Sequence, residues 1–170
     1  DLMHTIFWNI VEAANVAVEM LIILLYFSKL FAPSYESKRI YIVGYLAAAL
    51  ILYLTGVFTS DSTVLISVTF ALLLLISIIL YEGTIIRKAF LSLLFIVIVF
   101  ISEILFIGIM TALNIGIPSE IVEQGVNRII GMIGTKIIYF WIVVFVCRLI
   151  NKKLKDVPPK QWIMIFLMPV

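Results

Sequence analysis

The sequence predicts an all-α fold: a polytopic integral membrane helical bundle of five full spans plus the start of a sixth. Three observations predict it. Apolar residues run without alternation for about 20 positions at a time, the length that crosses a hydrocarbon core. Polar material is too scarce to coat a water-soluble globule. Basic residues fall on alternate loops.

The composition sets the solvent. Of 170 residues, 64% are hydrophobic and 13% charged, and the mean hydropathy is +1.24. Soluble domains are roughly 45–50% apolar and about 25% charged. The expected environment is therefore a lipid bilayer. A net charge of +2 is too small to argue for nucleic acid. The single cysteine, Cys147, excludes an intrachain disulfide. Its apolar neighbours suit an inert, buried thiol.

The spans follow from the apolar runs and their breaks. They cover roughly 5–31, 40–58, 64–81, 89–113 and 129–150, and a sixth begins at 161 and stops at 170. The last is too short to cross, so it is either an interfacial segment or, as expected here, a helix cut in mid-span. Pro33 and Ser34 close the first span. Thr59, Ser60, Asp61 and Ser62 turn the chain after the second. Glu82 and Gly83 end the third. Asn114, Gly116 and Pro118 stop the fourth, and Pro158 and Pro159 follow the fifth. The first run lacks a basic start and contains Glu12 and Glu19, so a retained helix is expected and not a signal peptide. Continuous apolar runs argue against a β-barrel.

Orientation follows from lysine and arginine. One set of alternate loops holds Lys29, Lys38 and Arg39, then Arg87 and Lys88, then Arg148, Lys152, Lys153, Lys155 and Lys160. These are ten of the twelve basic residues, and Arg128 and Lys136 are the others. The expectation is a multi-pass protein of the plasma membrane with its N-terminus outside.

Charges at bilayer depth are costly and usually face a bundle interior. Glu12, Asn15 and Glu19 are spaced by three and four, so they share one face of the first span. Glu103 lies in the fourth span and Lys136 in the fifth. By helix rise, Glu12 and Lys136 both sit roughly 10 Å below the outer surface, with Glu19 and Glu103 nearer the midplane. A polar cluster of Glu12, Asn15, Glu19, Glu103 and Lys136 is expected, with Lys136 paired to one of the three glutamates. One role for such a cluster is to hold helices together. A second is to take a ligand or pass a signal, and a third is to form a proton or ion pathway. Asp61, Glu120, Glu123 and Arg128 are the residues expected to face a ligand at the outer surface. Gly131, Gly134 and Thr135 form a small-residue face, read as packing. Trp8 and Trp162 fit an interfacial belt, whereas Trp141 is expected in the core or a helix contact.

Catalytic patterns are missing. His4 and Cys147 lie near opposite ends of their spans, so they cannot form a nucleophilic pair. One histidine is too few for a histidine–carboxylate metal site. There is no phosphate-binding glycine loop. No catalytic residue, cofactor or metal is assigned to this segment.

Three stretches carry a resemblance. One is I-F-W-N-I-V-E-A-A-N-V-A-V-E-M at Ile6 to Met20. The second is Y-E-G-T-I-I-R-K-A-F-L-S-L-L-F at Tyr81 to Phe95, with S-E-I-L-F at Ser102 to Phe106. The third is K-K-L-K-D-V-P-P-K-Q-W-I-M-I-F-L-M-P at Lys152 to Pro169. Together they resemble the membrane sensor of peptide-pheromone receptor histidine kinases of the accessory-gene-regulator type, whose kinase belongs to the GHKL-ATPase family. The resemblance implies a six- or seven-helix sensor, a homodimer, an extracellular peptide ligand and a cytoplasmic response regulator. It also implies a kinase domain after Val170 that would use ATP and magnesium. A second reading of the residues is the substrate-binding membrane subunit of a small-molecule or vitamin transporter. The open reading frame beyond Val170 discriminates between the two.

Overall fold

A computed structural model describes residues 2–59, 61–113 and 126–153. Among them are five α-helices: α1 (Leu2–Leu30), α2 (Lys38–Phe58), α3 (Ser62–Leu80), α4 (Ile85–Ala112) and α5 (Val126–Lys153). Each is long and apolar enough to span a membrane. The sixth expected span, 161–170, lies outside the described residues. With no strand among the described residues, the fold is the all-α bundle of a multi-pass membrane protein.

The helices close into a ring. Each packs mainly on two others, in the order α1, α2, α3, α4, α5 and back to α1. Large apolar side chains on the outer faces stay exposed, among them Ile42, Leu46 and Leu50 of α2 and Ile133 and Ile137 of α5. Lipid tails satisfy such faces as well as a protein core would.

One end of the bundle is tightly built. Here it is called the basic end; it carries the segments 31–37 and 81–84. Ser34 N–H donates to Leu80 O at 3.0 Å, and Glu82 N–H donates to Ala32 O at 3.0 Å. These bonds flank an isolated antiparallel bridge between Pro33 and Tyr81. Gly83 has φ 128°, a conformation that L side chains rarely adopt, and it lets the chain turn back into α4.

Helix α4 starts four residues before the expected boundary at 89, and Arg87 and Lys88 fall in its first turn. The reason is the work these two cations do. Arg87 Nη2 donates to Leu30 O at 3.0 Å, the carbonyl that ends α1. Buried Lys88 sends Nζ to Tyr81 O at 2.6 Å, just past α3. Both satisfy acceptors at helix C-termini, where the helix dipole favours a positive charge. By position in the sequence both residues fall in the loop between the third and fourth spans.

Tyrosines seal the same end. Tyr41 Oη donates to Leu80 O at 2.7 Å. The Tyr45 and Tyr81 hydroxyls lie 3.1 Å apart. Burial raises the Tyr81 pKa above its ordinary value, which keeps the group neutral and hydrogen-bonding. Tyr26 is fully buried and donates to Leu91 O at 2.9 Å, tying α1 to α4 across the ring. Its ring meets Phe95, which meets Tyr139 of α5. Cys147 is buried in the same core.

That core is lopsided. Its contributors are Met20 to Phe31, Tyr45 to Leu52, Leu72 to Tyr81, Leu91 to Ile98 and Tyr139 to Ile150, all in the basic half of the bundle. Toward the other end, which carries the N-terminus, α4 and α5 stay close through Gly134. A Cβ there would fall onto the Phe106 ring. Replacing Gly134 by Leu should separate α4 from α5 and destabilise the bundle by about 1–3 kcal/mol. Gly108 has open space around its missing Cβ, so Gly108→Ala should be nearly neutral. Unfolding midpoints in mixed micelles would compare the two variants.

Candidate functional site

The N-terminal half of the bundle contains the polar residues. On α1, Glu12, Asn15 and Glu19 lie in one stripe. On α5, Arg128, Gly131, Thr135 and Lys136 recur at spacings of three, four and one, again one face. These two faces meet. Arg128 pairs with Glu12, and Lys136 Nζ donates to Glu19 Oε2 at 2.9 Å. Residue numbers rise together on both helices, seven from Glu12 to Glu19 and eight from Arg128 to Lys136. The helices are therefore parallel, and the two ion pairs form rungs about 11 Å apart along them.

The register differs from the one expected from helix rise. Glu12 and Lys136 are not at one level, because Glu12 stands opposite Arg128 and Glu19 opposite Lys136. Arg128, expected to face a ligand at the surface, is half-buried and paired. The lower rung is the more enclosed, with side chains 20% exposed against 30% and 33% for the upper one.

Aromatic rings back each cation. The Arg128 guanidinium lies 5.7 Å from the Trp8 ring centroid. Trp8 in turn donates Nε1–H to His4 Nε2 at 3.1 Å. Expected in an interfacial belt, Trp8 is instead only 5% exposed, covered by this chain of contacts. The Lys136 ammonium stands 5.4 Å from the Tyr139 ring centroid. A cation over an aromatic face regains part of the hydration it has lost.

Glu103 of α4 completes the group. It lies within electrostatic reach of Lys136 and Glu19. Among the described residues it makes no hydrogen bond or ion pair. With Asn15, Arg128, Gly131, Met132, Thr135 and Lys136 it lines a cavity of about 320 Å³ between α1, α4 and α5. The Asn15 Oδ1 atom is buried there without a hydrogen-bond partner among the described residues. Gly131 and Thr135 matter beyond packing, because their small side chains leave the room that the cavity occupies.

An apolar groove of about 670 Å³ adjoins it along the α1–α5 seam, sharing Asn15, Met132 and Lys136 with the cavity. Val18, Leu21 and Leu25 line one wall, Ile137, Phe140 and Trp141 the other. Trp141, expected in the core or a helix contact, is 63% exposed on this wall. Its place on the helix turns it away from Tyr139 and Val143, the residues that enter the core.

The remaining residues expected at the surface divide. Asp61 is the N-cap of α3, and its carboxylate accepts from Thr63 N–H at 2.8 Å. That bond satisfies one of the free donors of the first helical turn. Glu120, Glu123 and Trp162 lie outside the described residues. Trp8 and Tyr139 were missed as partners of the cations. A faint signal was available for Trp8, which stands four residues before Glu12 on the same face.

The chain matches no protein-family model, no curated protein and no solved structure.

Removing one member of the lower rung leaves the other charge uncompensated at membrane depth. Lys136→Met should cost about 3 kcal/mol, the low end for broken buried pairs. The double variant Glu19→Gln/Lys136→Met should recover most of that loss. Unfolding free energies of the wild type, both single variants and the double variant would close the cycle.

Proposed function

We propose that this chain is the membrane-embedded signal-sensing region of a sensor histidine kinase. In this reading it receives an extracellular ligand, a peptide, and passes the signal to a cytoplasmic kinase domain beyond Val170. One observation carries the reading: the charged ladder between the parallel helices α1 and α5 borders a polar cavity in the half of the bundle that carries the N-terminus. The charge pattern of the loops puts that half toward the outside, where a peptide would arrive.

The ladder also suits transmission. A ligand in the cavity contacts α1, α4 and α5 together, and it alters the field around Lys136. A small change in the lower rung biases the position of α5, and α5 leads from the cavity to the basic end. Coupling of this kind needs two arrangements with different affinity for the ligand. The loosely packed N-terminal half leaves room for them, whereas the basic half is pinned. The kinase domain would supply the ATP and magnesium chemistry, act as a homodimer and hand its phosphoryl group to a response regulator.

A second reading has its own support. The cavity is lined, among the described residues, by helices at membrane depth, as a substrate-binding membrane subunit of a small-molecule or vitamin transporter would require.

The neutral double variant Glu19→Gln/Lys136→Met is the sharper test, because it keeps the fold. Placed in the full-length protein, it should insert normally and lose at least about tenfold in ligand-stimulated autophosphorylation. An unchanged response would reduce the ladder to a structural device and sink the receptor mechanism. Uptake of a substrate by cells expressing the chain, with no kinase output, would instead establish the transporter reading.

A further inference from the structure

The charges around the cavity do not balance. Glu12 and Glu19 each hold one cation, Arg128 and Lys136. Glu103 is a third carboxylate and lines the cavity unpaired among the described residues. Among the described residues the site thus has one negative charge in excess, on a side chain that stays exposed, at a depth where an uncompensated charge is costly. Beside it the Asn15 Oδ1 acceptor is buried with its hydrogen-bonding capacity unused, which a native structure seldom leaves unexplained.

Both features ask for the same complement: a donor carrying positive charge. An anion is disfavoured, because the two cations that line the cavity, Arg128 and Lys136, are each already paired with a carboxylate. A hard metal ion is also disfavoured. Glu103, Asn15 and Thr135 offer too few oxygens for calcium, which takes six to eight. An ammonium group needs only two or three acceptors around it, and that number is present.

Size and polarity narrow the ligand further. A cavity of about 320 Å³ is at the small end for ligand sites, so it takes one end of a molecule. The adjoining groove is apolar and shares Asn15, Met132 and Lys136 with it. The geometry points to a ligand with a primary ammonium group attached to an apolar body. The ammonium binds Glu103 and Asn15 Oδ1, and the apolar part lies along the α1–α5 groove. In a peptide, an N-terminal amine or a lysine side chain beside apolar residues supplies this chemistry. This deepens the receptor reading by naming the ligand class of the same cavity.

The test uses the full chain in detergent micelles and radiolabelled n-butylammonium as the probe, followed by equilibrium dialysis. Saturable binding is expected. Glu103→Gln should weaken it by about tenfold or more, the value of a hydrogen bond to a charged group. Glu103→Asp should restore part of the affinity, which a merely structural side chain would not do. Neither n-butanol nor potassium ion should compete at equal concentration. Unchanged affinity in Glu103→Gln overturns the proposal, because it means that Glu103 needs no counter-ion. Equal competition by potassium overturns it too, since the site would then take any monovalent cation. If Glu103→Gln does not fold, Asn15→Leu replaces it, and unchanged amine affinity there is equally fatal. Binding is read without any kinase output, so a chain that binds the amine but fails to signal defeats the receptor reading alone.

Discussion

Lys136 and Glu19 meet at 2.9 Å between two parallel helices, in a medium that offers neither charge another partner. Water would let each group keep its hydration and would make the contact weak. Hydrocarbon does not, so the position of one charge dictates the position of the other. The upper rung, Arg128 with Glu12, repeats the constraint about 11 Å away. Two rungs set both the translation of α5 along α1 and its rotation, and a single rung would leave the rotation free. Helices distant in sequence are thereby joined, and the ring of five closes where α5 returns to α1.

The rest of the bundle divides around that seam. At the basic end three acceptors near helix termini are met by nearby donors: Arg87 on Leu30 O, Lys88 on Tyr81 O, Tyr41 on Leu80 O. Large aromatic residues fill the space between, and the bridge of Pro33 with Tyr81 links the two connecting segments. On α5 the N-terminal half has Gly131, Gly134 and Thr135 where the basic half has the buried Tyr139. Gly131 and Thr135 stand where larger side chains would close the space. A polar cavity beside a rigid base is the outcome. Such a division suits a protein that must respond at one end and remain coupled at the other, because motion concentrates where buried apolar contacts are few.

Much of this was legible in the chain. Apolar runs of membrane length determined the helices, since backbone polar groups in hydrocarbon must be satisfied within each segment. Glu12, Asn15 and Glu19 announced one polar face by spacing alone, and their cost in lipid made an interior location for them the cheapest one. The small residues of α5 were visible too, although not the cavity they leave.

Only the tertiary structure decided which charges meet. Helix rise measures depth from each helix's own end, and the offset between two helices is set by packing. That is why Lys136 found Glu19, and why Glu12 was left to Arg128. The same offset left Glu103 beside the ladder without a cation of its own. The loop charges show a similar limit: Arg87 and Lys88 count as basic loop residues by position, but helix carbonyls brought near by folding draw them into α4. Sequence spacing determined the helices and their faces because those depend on neighbours along one chain. The pairing of the faces depends on contacts between residues more than a hundred positions apart, and only the folded bundle brings these together.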